Sequence, residues 1–285
     1  MRKNGVRVVS RTIGFVGAGR IGEPMVERLL AAGHRVRLYA RRAEVRDRLV
    51  AAGAESVAQV RDIADSDVVI SCLFSDDQIA AVLPAVVGAM ASGTVLLSHT
   101  TGTPATLRGL RNFARDGAPA IVDAPFSGTA DAVRAGELVV FLGGEPAHVA
   151  VAREVIGSYA GSIIDTGPAC SALHVKLINN LLFAAIAQLT LNATEIAAAQ
   201  NITESAMLDA LALASAGSTA GRYIAARGGS AGFTASVEPF LRKDVAAVRE
   251  ALADSGADLS TLLSAAYTGP MHLRHHTTIE NGSAS

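Results

Sequence analysis

From Thr12 to Asp165 short β-branched runs alternate with helix-period segments, and after Gly167-Pro168 the alternation stops. The runs Thr12–Val16, Val36–Tyr39, Val68–Leu73, Val95–Ser98, Ile121–Asp123, Val139–Leu142 and Ile163–Asp165 read as strands. Helical spacing around Glu23–Ala32, Ala43–Ala52, Gln78–Met90 and Pro104–Arg115 separates the early ones. That order predicts βαβ units and hence an α/β, doubly wound, largely parallel sheet. Val68-Val69-Ile70, apolar without a break, fits a strand covered on both faces. Ala169 to Gln200 then reads as one long helix, with further helical segments near Glu204–Ala214, Thr219–Arg227, Val237–Asp254 and Ser260–Tyr267. The expected organisation is a sheet domain over residues 11–167, an all-helical domain over 168–270 and a disordered polar tail over 271–285.

Composition narrows the function classes. Of the 285 residues 50% are hydrophobic but only 4% aromatic, without tryptophan, so Ala, Val and Leu must fill the core. The formal charge of −1 has no basic excess for a nucleic acid to bind. Two cysteines, Cys72 and Cys170, make no disulfide framework and are expected as buried thiols in a reducing cytoplasm. Met1 to Ser10 lacks the apolar core and small-residue cleavage site of a secretory signal. The most membrane-like stretch, Leu181 to Leu191, is much shorter than the roughly 20 residues of a spanning helix. His272, His275 and His276 have no carboxylate or cysteine spaced with them, so no metal is expected there.

Gly17, Gly19 and Gly22 form G-x-G-x-x-G directly after a predicted strand and opening a predicted helix. This context marks a Rossmann-type dinucleotide cradle. Gly17 permits the tight turn, Gly19 lets the backbone approach a pyrophosphate, and Gly22 allows helix and strand to pack closely. Ala18, Arg20 and Ile21 complete the turn, and the helix N-terminus offers free N–H groups to the phosphates. An NAD site usually carries Asp or Glu about 20 residues on, at the end of the second strand. Here that strand ends Tyr39-Ala40-Arg41-Arg42, so two guanidinium groups stand where a 2′-phosphate would lie. NADPH is therefore expected over NADH.

Two further motifs follow: Asp123-Ala124-Pro125-Phe126-Ser127-Gly128, and Lys176-Leu177-Ile178-Asn179-Asn180. Helical spacing places Asn179 and Asn180 beside Lys176. By itself such a cluster would more often be a surface patch. Behind the cradle and in this order, however, the three motifs resemble the β-hydroxyacid dehydrogenase family from about Arg11 to Leu262. The resemblance implies hydride exchange between a nicotinamide and a small β-hydroxyacid or semialdehyde acid. It makes Lys176 the proton donor or acceptor, provided that burial and neighbours bring its pKa toward neutrality, and Asn180 its orienting partner. It assigns Ser127, Gly128 and Thr129 to the substrate carboxylate, and Leu73, Phe74 and Thr101 to the cofactor pocket. Lys243, followed by Asp244 and preceded by Phe233 and Phe240, falls at the substrate end of the pocket in relatives.

Two departures stand out. Ser98 replaces an aspartate, which puts local hydrogen bonding in doubt, and Thr129 replaces a glycine, so that substrate size is expected to differ. The rival readings are an imine reductase of the same fold, which commonly has an acid or tyrosine in place of the lysine, and a silent NADP-binding scaffold that has lost it. Lys176 speaks against both. The long helix, apolar nearly all round, is expected to be buried on every side in a homodimer, as in similar proteins.

Overall fold

In the computed structural model, residues 9–115, 119–253 and 256–274 are described. The first compact unit runs to Lys176 and the second starts at Leu177. In chain order the first contains β1 (Thr12–Val16), α1 (Gly22–Ala31), β2 (Arg35–Tyr39), α2 (Ala43–Ala51), β3 (Glu55–Ser56) and β4 (Val68–Ser71). There follow α3 (Asp76–Val87), β5 (Val95–Ser98), α4 (Pro104–Gly109), β6 (Ala120–Asp123), β7 (Phe126–Ser127) and α5 (Ala130–Ala135). Then come β8 (Leu138–Gly143), α6 (Pro146–Ile156), β9 (Ala160–Gly167) and the start of α7 (Ser171–Ala199). The second unit takes the rest of α7 with α8 (Glu204–Leu213), α9 (Thr219–Ala226), α10 (Ser230–Ala251) and α11 (Ser260–Tyr267).

The sheet order is β3-β2-β1-β4-β5-β6-β8-β7, with β9 also on β8. Pairing is parallel from β3 through β6 and between β8 and β9, and antiparallel where β8 meets β6 and β7. The two-sided burial expected of β4 is present. Val68 and Ile70 face a core with Met25, Leu29 and Tyr159, whereas Val69 faces the other with Ile79, Leu83 and Leu107. Period-2 alternation inside an all-apolar strand feeds both layers. Burying each such side chain contributes about 2 kcal/mol. Because β2 and β4 lie on opposite sides of β1, the chain reverses its winding there, and a crevice opens beyond the strand ends.

In the second unit Leu177, Leu181, Ala184, Ala187 and Leu191 of α7 meet Leu208, Ile224, Phe233, Leu241, Val245 and Ala266. Buried Gln188 donates to the carbonyls of Ala266 (3.0 Å) and Met271 (2.7 Å) and accepts from the Met271 N–H (2.9 Å). This corrects the expectation of a loose tail from Met271. Met271 and Leu273 are buried, and His272 is held through its carbonyl by Arg242 and through its N–H by Glu238. The remainder of the predicted tail, with His275 and His276, lies outside the described residues.

Other differences have simple causes. β3 and β7 have only two residues each, too few for a pattern, and α5 only six. α6, between β8 and β9, carries Pro146 in its first turn as the only local sign of its start. α10 begins seven residues before the expected Val237, and Pro239 is held inside it. α7 is long and apolar enough to cross a membrane by length and composition, but half of its most apolar window is buried in the chain itself, as in a core helix. Its burial is not complete on all sides, since Val175, Ile178, Leu182, Leu189 and Ile196 are exposed in the single chain.

Candidate active site

The glycines do what their spacing predicts. Gly17 adopts φ +94°, and a Cβ there would lie 2.3 Å from the Cys72 carbonyl oxygen. At Gly22 a Cβ would strike the Gly17 carbonyl oxygen at 2.2 Å, so any side chain would push α1 off the turn. A Cβ at Gly19 would approach no protein atom closer than 4.0 Å, which leaves the backbone open on the side where a ligand approaches. No side chain caps α1. The Glu23 N–H is taken up by the Gly19 carbonyl (2.9 Å), and the positive end of the helix dipole faces the turn, where an anion would be held.

A cavity of about 430 Å³ extends from this turn. Tyr39, Ala40, Arg41 and Arg42 form one wall, and Cys72, Leu73, Phe74 and Gln78 another. Both arginines are solvent-exposed, and Arg42 reaches back to the Ala18 carbonyl (3.5 Å). Cys72, expected to be buried, is half-buried and lines this cavity, and desolvation of its thiol pushes the pKa up to about 12, so that the neutral thiol is favoured. Asp76, at the start of α3, accepts from the Thr103 N–H (2.9 and 3.2 Å) and so ties the segment carrying Thr101 to the one carrying Phe74. These features fit a dinucleotide. A wider cleft of about 710 Å³ at the opposite edge of the strands is lined by Arg35, Arg37 and Asp65, already paired through Arg37–Asp65.

Beyond β6 the chain turns through Pro125 into β7, which pairs Phe126 with Val140 and Ser127 with Val139. Ser127 is half-buried. Gly128 has φ +138°, and a Cβ there would lie 2.9 Å from Leu138 Cδ1. Thr129, where a glycine is usual, lies at the N-cap of α5. Its hydroxyl caps α5 by accepting from the Ala132 N–H. Ser98, in place of an aspartate, is buried, and Ser71 opposite it and Thr100 beyond it bury hydroxyls without a protein partner.

Asp123 opens this segment and is fully buried. Its carboxylate accepts from the N–H groups of Cys170 (2.7 Å) and Leu173 (3.0 Å), the first turn of α7. Burial raises its pKa, against which the bonds from the backbone N–H groups pull down. Gly143 lies flush behind the clamp, where a Cβ would stand 2.7 Å from both carboxylate oxygens. One side chain therefore binds the start of the loop bearing Ser127 to the start of the helix bearing Lys176. Lys176 is half-buried on α7, three residues after Leu173.

One turn further along α7, Asn180 donates from Nδ2 to Asp244 Oδ2 (2.8 Å) and accepts at Oδ1 from Asn179 (3.2 Å). Asp244 also pairs with the ammonium of Lys243 (3.4 Å). The side-chain amide of Asn180 is thus fixed in orientation by a carboxylate from α10.

Residues 12–167, more than half of the chain, match the family described as the NAD binding domain of 6-phosphogluconate dehydrogenase. An NAD-dependent L-serine dehydrogenase of Pseudomonas aeruginosa is 29% identical over 214 residues, 74% of this chain and 72% of that protein. This chain belongs to the β-hydroxyacid dehydrogenase family. A solved 3-hydroxyisobutyrate dehydrogenase of Mycobacterium tuberculosis, with L-serine, superposes with a TM-score of 0.79 at 24% identity, covering 90% of this chain and 92% of that one. An imine reductase of Streptomyces aurantiacus gives 0.63 at 21% identity, with 90% and 92% covered. Both likenesses are of fold.

As a β-hydroxyacid dehydrogenase homologue, the protein is an oxidoreductase with an NAD(P)-binding domain. The Asp123 clamp and the Asp244 bridge are contacts that the motifs alone do not show. Both residues stood inside the quoted motifs. What was missing was their partners, which lie 47 and 64 positions away in the chain.

Proposed function

We propose that this dehydrogenase is a cytoplasmic, NADP(H)-dependent enzyme acting on a small β-hydroxyacid or the corresponding semialdehyde acid. The reading is carried by Lys176, placed on a helix whose first turn is clamped by the carboxylate that opens the Ser127 loop. A bound nicotinamide supplies or accepts the hydride. Lys176 gives a proton to the substrate oxygen in reduction and takes it back in oxidation. Asn180, held by Asp244, orients that exchange. Ser127 and the N–H groups of Gly128 and Thr129 hold the substrate carboxylate, and Lys243 adds a positive charge. NADPH consumption with short semialdehyde acids and with cyclic imines tests the reaction. Turnover of the imines alone makes the protein an imine reductase, and tight NADPH binding without any turnover makes it a scaffold.

Arg41 and Arg42 select the cofactor by pairing with a 2′-phosphate. Replacing both by alanine is expected to weaken NADPH binding about 10- to 100-fold, the scale of charge-assisted hydrogen bonds, with little change for NADH. Fluorescence titration measures both constants. NADH binding as tightly as NADPH in the wild type would show that the arginines do not select.

The exposed stripe Val175, Ile178, Leu182, Leu189 and Ile196 recurs at helical spacing along α7. A second copy of the chain covers it. Light scattering at micromolar protein is expected to give twice the 29.2 kDa chain mass. A fully active monomer would refute the dimer.

A further inference from the structure

We infer that His99 is a positioning residue for the substrate loop, bracing it through the Ala124 carbonyl and the Phe126 ring. The inference rests on the reading of Ser127 as a substrate-binding residue. His99 follows β5 directly, as Ala124 follows β6, and the ladder extends one step past both strand ends. Ala124 donates its N–H to the Ser98 carbonyl (2.8 Å), and His99 donates its own to the Ser71 carbonyl (2.8 Å). The backbone ladder between the two segments goes no further. At this point the imidazole takes over from the backbone, with Nδ1 2.5 Å from the Ala124 carbonyl oxygen.

The partners assign the tautomer. A carbonyl only accepts, so Nδ1 carries the proton and Nε2 of the neutral ring is an acceptor. The Tyr159 hydroxyl, 2.9 Å away, donates to it. His99 is 1% exposed and Tyr159 0%, so no water competes for either bond. The imidazole also meets the Phe126 ring edge-on at 5.9 Å and the Tyr159 ring at 5.8 Å. Phe126 immediately precedes Ser127 in β7, which has only two residues and pairs on one side alone. So short a strand is weakly held by its own ladder. The His99–Tyr159 pair supplies support from behind, and thereby sets where the Ser127 hydroxyl stands.

Two variants separate the bond from the bulk. His99→Asn keeps an N–H donor at the place of Nδ1, whereas His99→Phe keeps a ring against Phe126 and loses the donor. Deuterium exchange of the peptide spanning residues 124–131 reads the brace without any turnover. Loss of one buried hydrogen bond predicts exchange about tenfold faster in His99→Phe, with His99→Asn within about threefold of the wild type. With 3-hydroxyisobutyrate and NADP+, KM is expected to rise by a similar factor in His99→Phe only, while kcat and NADPH affinity hold. If His99→Phe does not fold, Tyr159→Phe is read in its place, since it removes only the donor that locks the tautomer, and exchange about threefold faster is expected. Unchanged exchange, or equal changes in the Asn and Phe variants, overturns the brace. A wild type that oxidises none of the hydroxyacids defeats the proposed reaction instead, and the exchange result still decides for or against the brace.

Discussion

Lys176→Ala is expected to lower kcat by about 10²-fold or more, the usual contribution of a positioned acid or base, and to leave NADPH affinity within about twofold. The reason is spatial. The cofactor cradle is built from the β1–α1 turn and the ends of β2 and β4, whereas Lys176 belongs to α7. On the proposed reading, deleting the amine removes the proton path and spares the dinucleotide contacts. Single-turnover rates with saturating NADPH measure the effect, because they exclude product release. A variant that keeps most of the wild-type rate would take Lys176 out of the chemistry. Asn180→Ala is expected to do less, since the part proposed for Asn180 is to orient the proton exchange.

Acid is expected to unfold the protein through His99. Burial pulls its imidazole from an ordinary 6.5 down to about 4, and the hydrogen bond to Ala124 offsets only part of that. The folded state thus refuses a proton that the unfolded chain accepts. Stability is complete above about pH 6.5 and falls as the pH drops toward 4. The full span corresponds to about 3 kcal/mol. Asp123 acts in the opposite sense, because its raised pKa favours the protonated folded form in acid. Urea midpoints at fixed protein concentration, between about pH 7.5 and 4.5, are expected to fall more steeply in the wild type than in His99→Asn, by about 2.5 kcal/mol at the acid end. Equal slopes in the two proteins would mean that His99 is not the group that titrates.

The cradle was legible because its glycines fall at a short, fixed spacing. A turn of positive φ, a close approach and a tight packing each demand glycine, and the three fall within six residues. The parallel sheet was legible for a related reason, as strand and helix periods differ and alternate along the chain. The capping role of Thr129 could not be read from its residue type, because a threonine side chain has more than one way to leave the backbone. Only the position of Ala132 showed that its hydroxyl turns to the helix. His99 gave no signal at all. A histidine after a strand is ordinary until Tyr159, 60 residues later, is folded against it.

The sequence by itself determined the α/β sheet, the dinucleotide turn, the missing acidic residue after β2 and the candidate proton carrier on a long helix. These depend on residue type and short spacing. Tertiary structure alone decided how the parts are held: Asp123 to α7, Asp244 to Asn180, His99 to Ala124, and Gln188 to the chain around Met271. Each of these is a buried or part-buried polar contact between residues 25 or more positions apart. Such contacts form only after hydrophobic burial has brought the segments together, and burial is non-directional, so no local pattern announces which partner a polar group will meet.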